Sequence, residues 1–340
     1  MKRTITTLLI MPALFGVGCG RFVALRMVQA PNTYPDWIKR KLPIELDLGQ
    51  NVLTNFPLRS AVVGPPAAQL RYRLIEPRDY NVSFSSTNWQ KRGKTWFRLK
   101  FRVTLPGSPN PRTSKPRGTV VLLHGYSLDQ RRMVPWAFRL AQEGWQCVLP
   151  DLRGHGRSTG KRIHFGLIET RDLSQLIDEL QRKGQLVEPI AALGESYGAT
   201  LALRWKAAEA RVRRVVAIAP YAQLSTAVLN MRRHNASLIP ASWIKAGLAQ
   251  LPRVLQSTAA QFDLTTVLQN SPVSALFVAG ALDNISPPEE VRRLHALASP
   301  ASRLLIVPDA THEAVPYFLK DLLEPAMSWL EERESPTQAP

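Results

Sequence analysis

The sequence predicts an α/β protein with a doubly wound, mainly parallel sheet, and two observations lead to this prediction. Short apolar runs rich in β-branched or small residues recur along the chain, as in strands buried on both faces. Helical segments lie between them; in the clearest, apolar residues 173, 176, 177 and 180 form a stripe that ends before Gly184. Such alternation places functional residues at the carboxyl ends of the strands. The predicted strands are 119–123, 147–149, 190–193, 215–219, 275–279 and 304–307.

The composition indicates a globular protein with a strongly basic surface. The chain has 340 residues, 45% of them hydrophobic and 21% charged, enough for one large domain or two smaller ones. Its net charge is +18, but the lysines and arginines are scattered and not interleaved with aromatic residues, so we expect no nucleic-acid partner. An anionic membrane surface is one partner that this charge favours, and a merely solubilising surface is the alternative. The sequence leaves the oligomeric state open.

Residues 1–19 have the pattern of an export signal. Lys2 and Arg3 precede an apolar segment too short for a comfortable membrane span, and small residues close it. The following Cys19 resembles the cleavage and lipidation site of bacterial lipoproteins, although Gly16 stands where that pattern prefers leucine. We therefore expect a location in the cell envelope, either lipid-anchored or periplasmic. An ordinary signal peptide and an uncleaved membrane anchor are the alternatives.

The proline-rich residues 20–79 predict an irregular N-terminal extension, with one short helix near residues 37–41. Apolar and basic residues alternate strictly from 97 to 103, which predicts a strand with one solvent-exposed face. We expect this strand to pair with the run near 82–85 as an antiparallel edge. The main domain then covers 80–333, and 334–340 form a tail. A long interval between two predicted strands contains helical pieces, so we expect a lid at about 222–265. A purely structural insertion is the alternative.

Residues 194–198, Gly-Glu-Ser-Tyr-Gly, lie between a predicted strand and a predicted helix. This is the setting of a nucleophile elbow, in which a tight turn projects a serine alone above the sheet edge. Glycines two residues on either side let strand and helix approach closely. Ser196 is therefore the candidate nucleophile.

A serine hydroxyl is a weak nucleophile and needs a base that is oriented by an acid. Of the six histidines, His312 follows the last predicted strand, whereas His295 lies within a helix and His234 in the predicted lid. Asp283 follows the strand before it. The chain order Ser196, Asp283, His312 accompanies this type of elbow, which predicts a catalytic triad.

Acyl transfer also needs donors for the developing oxyanion. The backbone N–H of Tyr197 at the start of a helix is one candidate. Gly125 lies in the loop after an earlier strand and lets that loop turn inward, so the N–H of Tyr126 is the second candidate. His124 is then expected to fix the loop. This chemistry requires no metal and no cofactor.

With these residues in place, residues 80 to about 330 resemble the α/β-hydrolase family. The stretch 151–160, Asp-Leu-Arg-Gly-His-Gly-Arg-Ser-Thr-Gly, is similar to a segment shared by monoacylglycerol lipases and lysophospholipases. The resemblance implies an α/β-hydrolase fold with a helical lid. It also implies that His155 is structural, because that stretch forms a turn behind the active site.

The sequence therefore predicts a serine hydrolase of carboxylic esters, of lipase or lysophospholipase type, acting on a small acyl ester or lipid. A peptidase or thioesterase using the same triad is the first alternative, since both share much of this pattern. A non-catalytic envelope protein that keeps the fold as a binding module is the second. Acyl-chain length and head group are beyond what the sequence indicates.

Overall fold

The computed structural model describes residues 16–34, 42–49, 52–91, 93–105 and 115–332. The expected signal segment up to residue 15, the helix expected near 37–41 and the predicted tail at 334–340 lie outside these ranges. Eleven strands form two sheets in the described part of the chain. The strands are β1 (Ile44–Asp47), β2 (Arg59–Val63), β3 (Ala68–Ile75), β4 (Asn81–Lys91), β5 (Lys94–Thr104), β6 (Thr119–Leu123), β7 (Gln146–Pro150), β8 (Ile190–Glu195), β9 (Val212–Ile218), β10 (Leu276–Gly280) and β11 (Arg303–Val307).

The larger sheet has eight strands in the order β11-β10-β9-β8-β6-β7-β3-β2. The six strands from β11 to β7 are mutually parallel, whereas β3 is antiparallel to β7, and β2 to β3. The order reverses around β6 and β8, so the loops at their carboxyl ends diverge and leave a crevice there. All six strands predicted from the sequence are present, which confirms the mainly parallel sheet.

Helices cover both faces of this sheet, and each face has its own apolar core. Strand side chains alternate between the two cores: Val121 and Leu123 pack on one face, Val120 and Leu122 on the other. The α-helices are α1 (Gly16–Met27), α2 (Val134–Gln142), α3 (Glu169–Arg182), α4 (Tyr197–Ala208), α5 (Leu224–Asn235), α6 (Ala241–Val254), α7 (Leu264–Asn270), α8 (Pro288–Leu297) and α9 (Leu319–Glu331). None of the helices in the described ranges is long and apolar enough to cross a membrane.

The prediction of an irregular extension over residues 20–79 is wrong in part, because β2 and β3 are the outer strands of the main sheet. In β3, Ala68, Leu70 and Tyr72 are buried while Gln69 is exposed and Arg71 half-buried, which is the alternation of a strand with one covered face. The prolines before and between the two strands obscured this pattern. The main domain therefore begins before the predicted boundary at residue 80.

The strand predicted from the alternation at 97–103 is β5, and it pairs with β4 in antiparallel register, with Val82 opposite Val103. The pair does not form an edge of the main sheet, however. It joins β1 in a separate three-stranded sheet, whose buried Phe97, Leu99 and Phe101 pack on the core beneath α2 and α9. The position of this sheet was not predicted, because it depends on long-range packing.

The long interval between β9 and β10 contains α5, α6 and α7, as the helical pieces predicted there suggested. Helix α1 packs against α6 at very short range, since a methyl group placed on Gly20 would lie 2.8 Å from the carbonyl oxygen of Ala246. A methyl group on Gly247 would lie 2.5 Å from Cγ1 of Val23. The segment that follows the expected signal thus packs closely against a helix of the predicted lid.

Candidate active site

Ser196 lies in a strained turn between β8 and α4. Its φ is 52° and its ψ is −114°, which non-glycine residues rarely adopt. Its N–H donates a hydrogen bond of 2.8 Å to the carbonyl of Ile218 on the neighbouring strand. A methyl group on Gly194 would lie 2.3 Å from the carbonyl carbon of Gly198, and one on Gly198 would lie 2.1 Å from the carbonyl oxygen of Leu123. Only glycine fits at either position, and the turn they permit is the one expected of a nucleophile elbow.

The three predicted triad residues form one hydrogen-bonded chain. Oγ of Ser196 lies 2.9 Å from Nε2 of His312, and Nδ1 of His312 lies 2.8 Å from Oδ2 of Asp283. The other carboxylate oxygen of Asp283 accepts hydrogen bonds of 2.8 Å from the backbone amides of Ile285 and Ser286. Because these amides hold the buried carboxylate, it can keep Nδ1 of His312 protonated and leave Nε2 free to accept the serine proton.

The electrostatics of His312 are set by two opposing effects. Burial alone would lower the pKa of the imidazole, but the charge of Asp283 and its hydrogen bond outweigh burial and raise the pKa above its ordinary value. The charges of Glu313 and Glu195 act in the same direction. The site therefore favours the imidazolium that would form when His312 takes a proton from Ser196.

Of the two predicted oxyanion donors, Tyr197 directly follows this serine and Tyr126 lines the same cavity as Ser196. Tyr197 is the first residue of α4, so its N–H has no acceptor within the helix. The carbonyl of Gly125 accepts hydrogen bonds from the amide of Leu128 and lies 2.9 Å from Nδ1 of His124. Carbonyl and N–H point in opposite directions across a trans peptide, so these bonds turn the N–H of Tyr126 away from its own loop.

Two buried histidines fix the surrounding loops. Nε2 of His124 accepts a hydrogen bond of 3.0 Å from the amide of Leu152, which links the loop after β6 to the stretch 151–160. His155 is 1% exposed, its Nδ1 lies 2.8 Å from the carbonyl of Arg153, and its ring stacks on Tyr197. Burial and the nearby His124 lower the pKa of His155 to about 3, so it stays neutral at physiological pH. Both side chains hold structure around the site.

A chamber of about 260 Å³ opens beside Ser196 and His312. Its wall is largely apolar and includes Leu42, Met231 and Ile285, and Met231 comes from α5 of the predicted lid. The sequence had not pointed to two residues in this wall, Tyr34 and Glu195. Tyr34 comes from the N-terminal segment, and no local pattern showed that this segment reaches the site. Glu195 lies within the elbow itself, but the elbow pattern leaves its position unrestricted.

Both the sequence and the fold are similar to those of known proteins. A family model described as serine aminopeptidase, S33, matches residues 114–264. The monoacylglycerol lipase of Mycolicibacterium smegmatis is 42% identical over 66 residues, which are 19% of this chain and 22% of that protein. The uncharacterized protein YqkD of Bacillus subtilis is 30% identical over 90 residues, which are 26% of this chain and 30% of that protein. The chain thus spans less than a third of either relative.

A solved structure extends the similarity to nearly the whole fold. The esterase Pf2001 of Pyrococcus furiosus superposes with a TM-score of 0.60 at 18% identity, over 86% of this chain and 98% of that chain. This likeness concerns the fold, with its mainly parallel sheet. Together with the family match around the elbow, it shows that the chain has the α/β-hydrolase fold.

Proposed function

We propose that the protein is a serine hydrolase of carboxylic esters, of lipase or lysophospholipase type. The observation that carries the proposal is the continuous chain from Oγ of Ser196 through His312 to Asp283, with distances of 2.9 and 2.8 Å. The local similarity to a monoacylglycerol lipase and the largely apolar chamber support an ester with an acyl chain.

In the proposed mechanism, Oγ of Ser196 attacks the ester carbonyl carbon while its proton passes to Nε2 of His312. The amides of Tyr126 and Tyr197 receive the oxyanion of the tetrahedral intermediate. His312 then returns the proton to the leaving alcohol oxygen, and an acyl-enzyme remains on Ser196. Water attacks this acyl group with His312 again as base, which releases the carboxylic acid and restores the serine.

The test is covalent labelling of the full chain with a fluorophosphonate probe, together with hydrolysis of esters of graded acyl-chain length. Ser196→Ala should abolish labelling and lower kcat by about 10⁶-fold. Ser328→Ala, which removes an exposed hydroxyl on α9, is the matched control and should behave like the wild type. If wild-type protein is not labelled, or if Ser196→Ala is labelled equally well, the mechanism is wrong.

A peptidase acting through the same residues is the second candidate, and two observations favour it. The matching family model is described as a serine aminopeptidase, and two carboxylates, Glu195 and Glu313, line the chamber and could face a substrate amine. One oxygen of Glu195 is, however, already bonded to the amide of Gly125. Hydrolysis of aminoacyl p-nitroanilides without hydrolysis of esters would establish the peptidase and reject the esterase.

The proposed location is the cell envelope, with Cys19 as the lipidation site. The N-terminal sequence pattern and the net charge of +18 support it. Exposed apolar side chains on the predicted lid, Leu238, Ile239 and Trp243, also suit contact with a lipid surface. Mass spectrometry of the mature N-terminus tests this proposal, and a chain that still begins at Met1 would reject lipidation. Co-sedimentation with anionic rather than neutral vesicles tests the expected surface.

A further inference from the structure

A second cavity, of about 610 Å³, lies next to the catalytic chamber. The two share Ser127, Leu128 and Arg132, so the loop after β6 forms the wall between them. The second cavity is lined by four arginines, Arg73, Arg131, Arg132 and Arg157, and we call it the arginine cavity. Its size is that of a small-ligand site, while its wall is far more polar than that of the chamber.

The arginine cavity has an excess of positive charge. Among the described residues, Asp129 and Asp151 are the only carboxylates that line it, and they leave two of the four arginine charges uncompensated. Asp129 is already paired with Arg131 at 2.6 Å. The oxygens of Asp151 accept hydrogen bonds from the backbone amides of Gln130 and Arg157 and so fix the loops of the wall.

Arg73 is the most deeply buried of the four arginines, because its side chain is only 9% exposed. Its guanidinium donates hydrogen bonds to neutral acceptors, the carbonyl of Phe56 and Oε1 of Gln130. Among the described residues it forms no ion pair with a carboxylate. Burial lowers the pKa of Arg73 and the charge of Arg157 lowers it further, while the charge of Asp151 acts in the opposite direction, so the two cations lie close enough to repel each other. A nearly buried guanidinium that has no ion-pair partner among the described residues and lies near a second, exposed guanidinium favours binding of an anion.

Arg132 and Arg157 complete the donor set. Within the described ranges neither guanidinium forms an ion pair with a carboxylate, although Arg132 is half-buried. Arg132 lines both cavities and therefore lies where a ligand would pass from one to the other. Arg157 occupies an unrestricted position of the stretch 151–160, so the resemblance of that stretch does not account for it.

We propose that the arginine cavity binds a phosphate group on the alcohol part of the ester substrate, while the acyl chain occupies the chamber beside Ser196. Guanidinium groups bind phosphate oxygens with two parallel hydrogen bonds, and the surplus of two charges matches a phosphate monoester. The proposal rests on the proposed ester hydrolase activity and narrows its substrate to phosphate-bearing monoacyl esters.

The test compares two soluble esters with the same acyl chain, 1-octanoylglycerol 3-phosphate and 1-octanoylglycerol, on the full-length protein. We expect the wild type to prefer the phosphate-bearing ester in kcat/KM by about 10-fold or more, since hydrogen bonds between charged groups contribute that much each. Arg157→Gln and Arg132→Gln should each reduce the preference by about 10-fold. Arg182→Gln removes the same charge from the exposed face of α3, outside both cavities, and should keep the preference. Equal kcat/KM for the two esters, or a preference that both cavity variants retain, would overturn the proposal.

A binding measurement separates this proposal from the catalytic one. In calorimetry with Ser196→Ala protein, 1-octanoylglycerol 3-phosphate should bind more tightly than 1-octanoylglycerol or inorganic phosphate, and Arg157→Gln should remove the difference. If inorganic phosphate binds as tightly as the phosphate-bearing ester, the cavity is a site for the free ion, and the proposal that it binds a phosphate on the substrate is wrong. If the wild type hydrolyses neither ester but binding still depends on Arg157, the hydrolase proposal fails and the cavity proposal stands.

Discussion

The amide N–H of Gly125 donates a hydrogen bond of 3.2 Å to Oε1 of Glu195. This bond joins the loop that carries the proposed oxyanion donor Tyr126 to the residue directly before Ser196. Glu195 is 3% exposed, so its carboxylate is held within the protein and the bond is little weakened by water. The position of that loop relative to Ser196 thus depends on a side chain inside the elbow.

Two substitutions of Glu195 separate its hydrogen bond from its charge. Glu195→Gln keeps an oxygen for the Gly125 amide, so maximal kcat/KM should stay within a few fold of the wild type. It removes a negative charge that helps to raise the pKa of His312, so the acid limb of the pH profile should move to lower pH. Glu195→Ala leaves the amide unpaired and should lower maximal activity by about 10-fold or more. Wild-type activity in Glu195→Ala would contradict this positioning role.

The pH dependence of activity follows from the state of His312. In the proposed mechanism the imidazole must be neutral to take the proton of Ser196, and its pKa is raised above the ordinary value. Activity should therefore fall as pH decreases through that raised pKa, and kcat/KM measured against pH should show an acid limb above about 6.5. Asp283→Asn removes the main cause of the increase, so the limb should move to lower pH while maximal kcat falls by about 10⁴-fold. An acid limb that does not move in this variant would show that another group titrates.

The proximity of Ser196, Asp283 and His312 could be predicted from the sequence because each residue lies in a turn or loop that follows a predicted strand. The carboxyl ends of parallel strands meet at one sheet edge, so chain order was enough to bring Ser196, Asp283 and His312 together. Tyr34 and Arg73 offered no such signal. Tyr34 reaches the chamber only because the N-terminal segment packs along residues 154–163, where Asn32 donates to the carbonyl of Gly154. Arg73 belongs to an antiparallel strand whose place in the sheet is set by its pairing with β7. Both positions depend on tertiary contacts that local patterns do not encode.

The stretch 151–160 is anchored by a buried ion pair. Nε and Nη2 of Arg153 lie 2.6 and 2.8 Å from the carboxylate oxygens of Asp172, and each side chain is 2% exposed. Arg153→Met would leave the carboxylate of Asp172 buried without a partner, so the free energy of unfolding should fall by about 3–5 kcal/mol. Arg153→Met with Asp172→Leu removes both charges and should recover most of this loss.

Urea denaturation of the wild type, Arg153→Met and the double variant measures these differences in the free energy of unfolding. Arg182→Met removes an exposed arginine paired with Glu179 on α3 and should leave the free energy of unfolding nearly unchanged, which makes it the matched control. A double variant no more stable than Arg153→Met would show that local packing, and not the unpaired charge, determines the loss.

Because α1 and α6 are in close contact, we predict that Gly20→Ala destabilises the packing of these helices, although helix propensity alone would predict stabilisation. Gly20 lies in the interior of α1, where replacement by alanine would ordinarily stabilise a helix by about 1 kcal/mol. Its new methyl group would, however, lie 2.8 Å from the carbonyl oxygen of Ala246, a backbone atom that no side-chain rotation can move away. The two helices must separate, at a cost of about 1–3 kcal/mol. Gly20→Ala should therefore reduce the hydrogen-exchange protection of α6.

Arg21→Ala is the control for this experiment because the Arg21 side chain is exposed on the same helix. It should leave α6 protected. In Gly20→Ala, α6 should also become more accessible to limited proteolysis, since its packing partner has been displaced. Because α6 follows α5, whose Met231 lines the chamber, loosening this pair should also alter hydrolysis of long acyl chains more than that of short ones. Equal or greater protection of α6 in Gly20→Ala would mean that α1 adapts to the methyl group and does not restrain the lid.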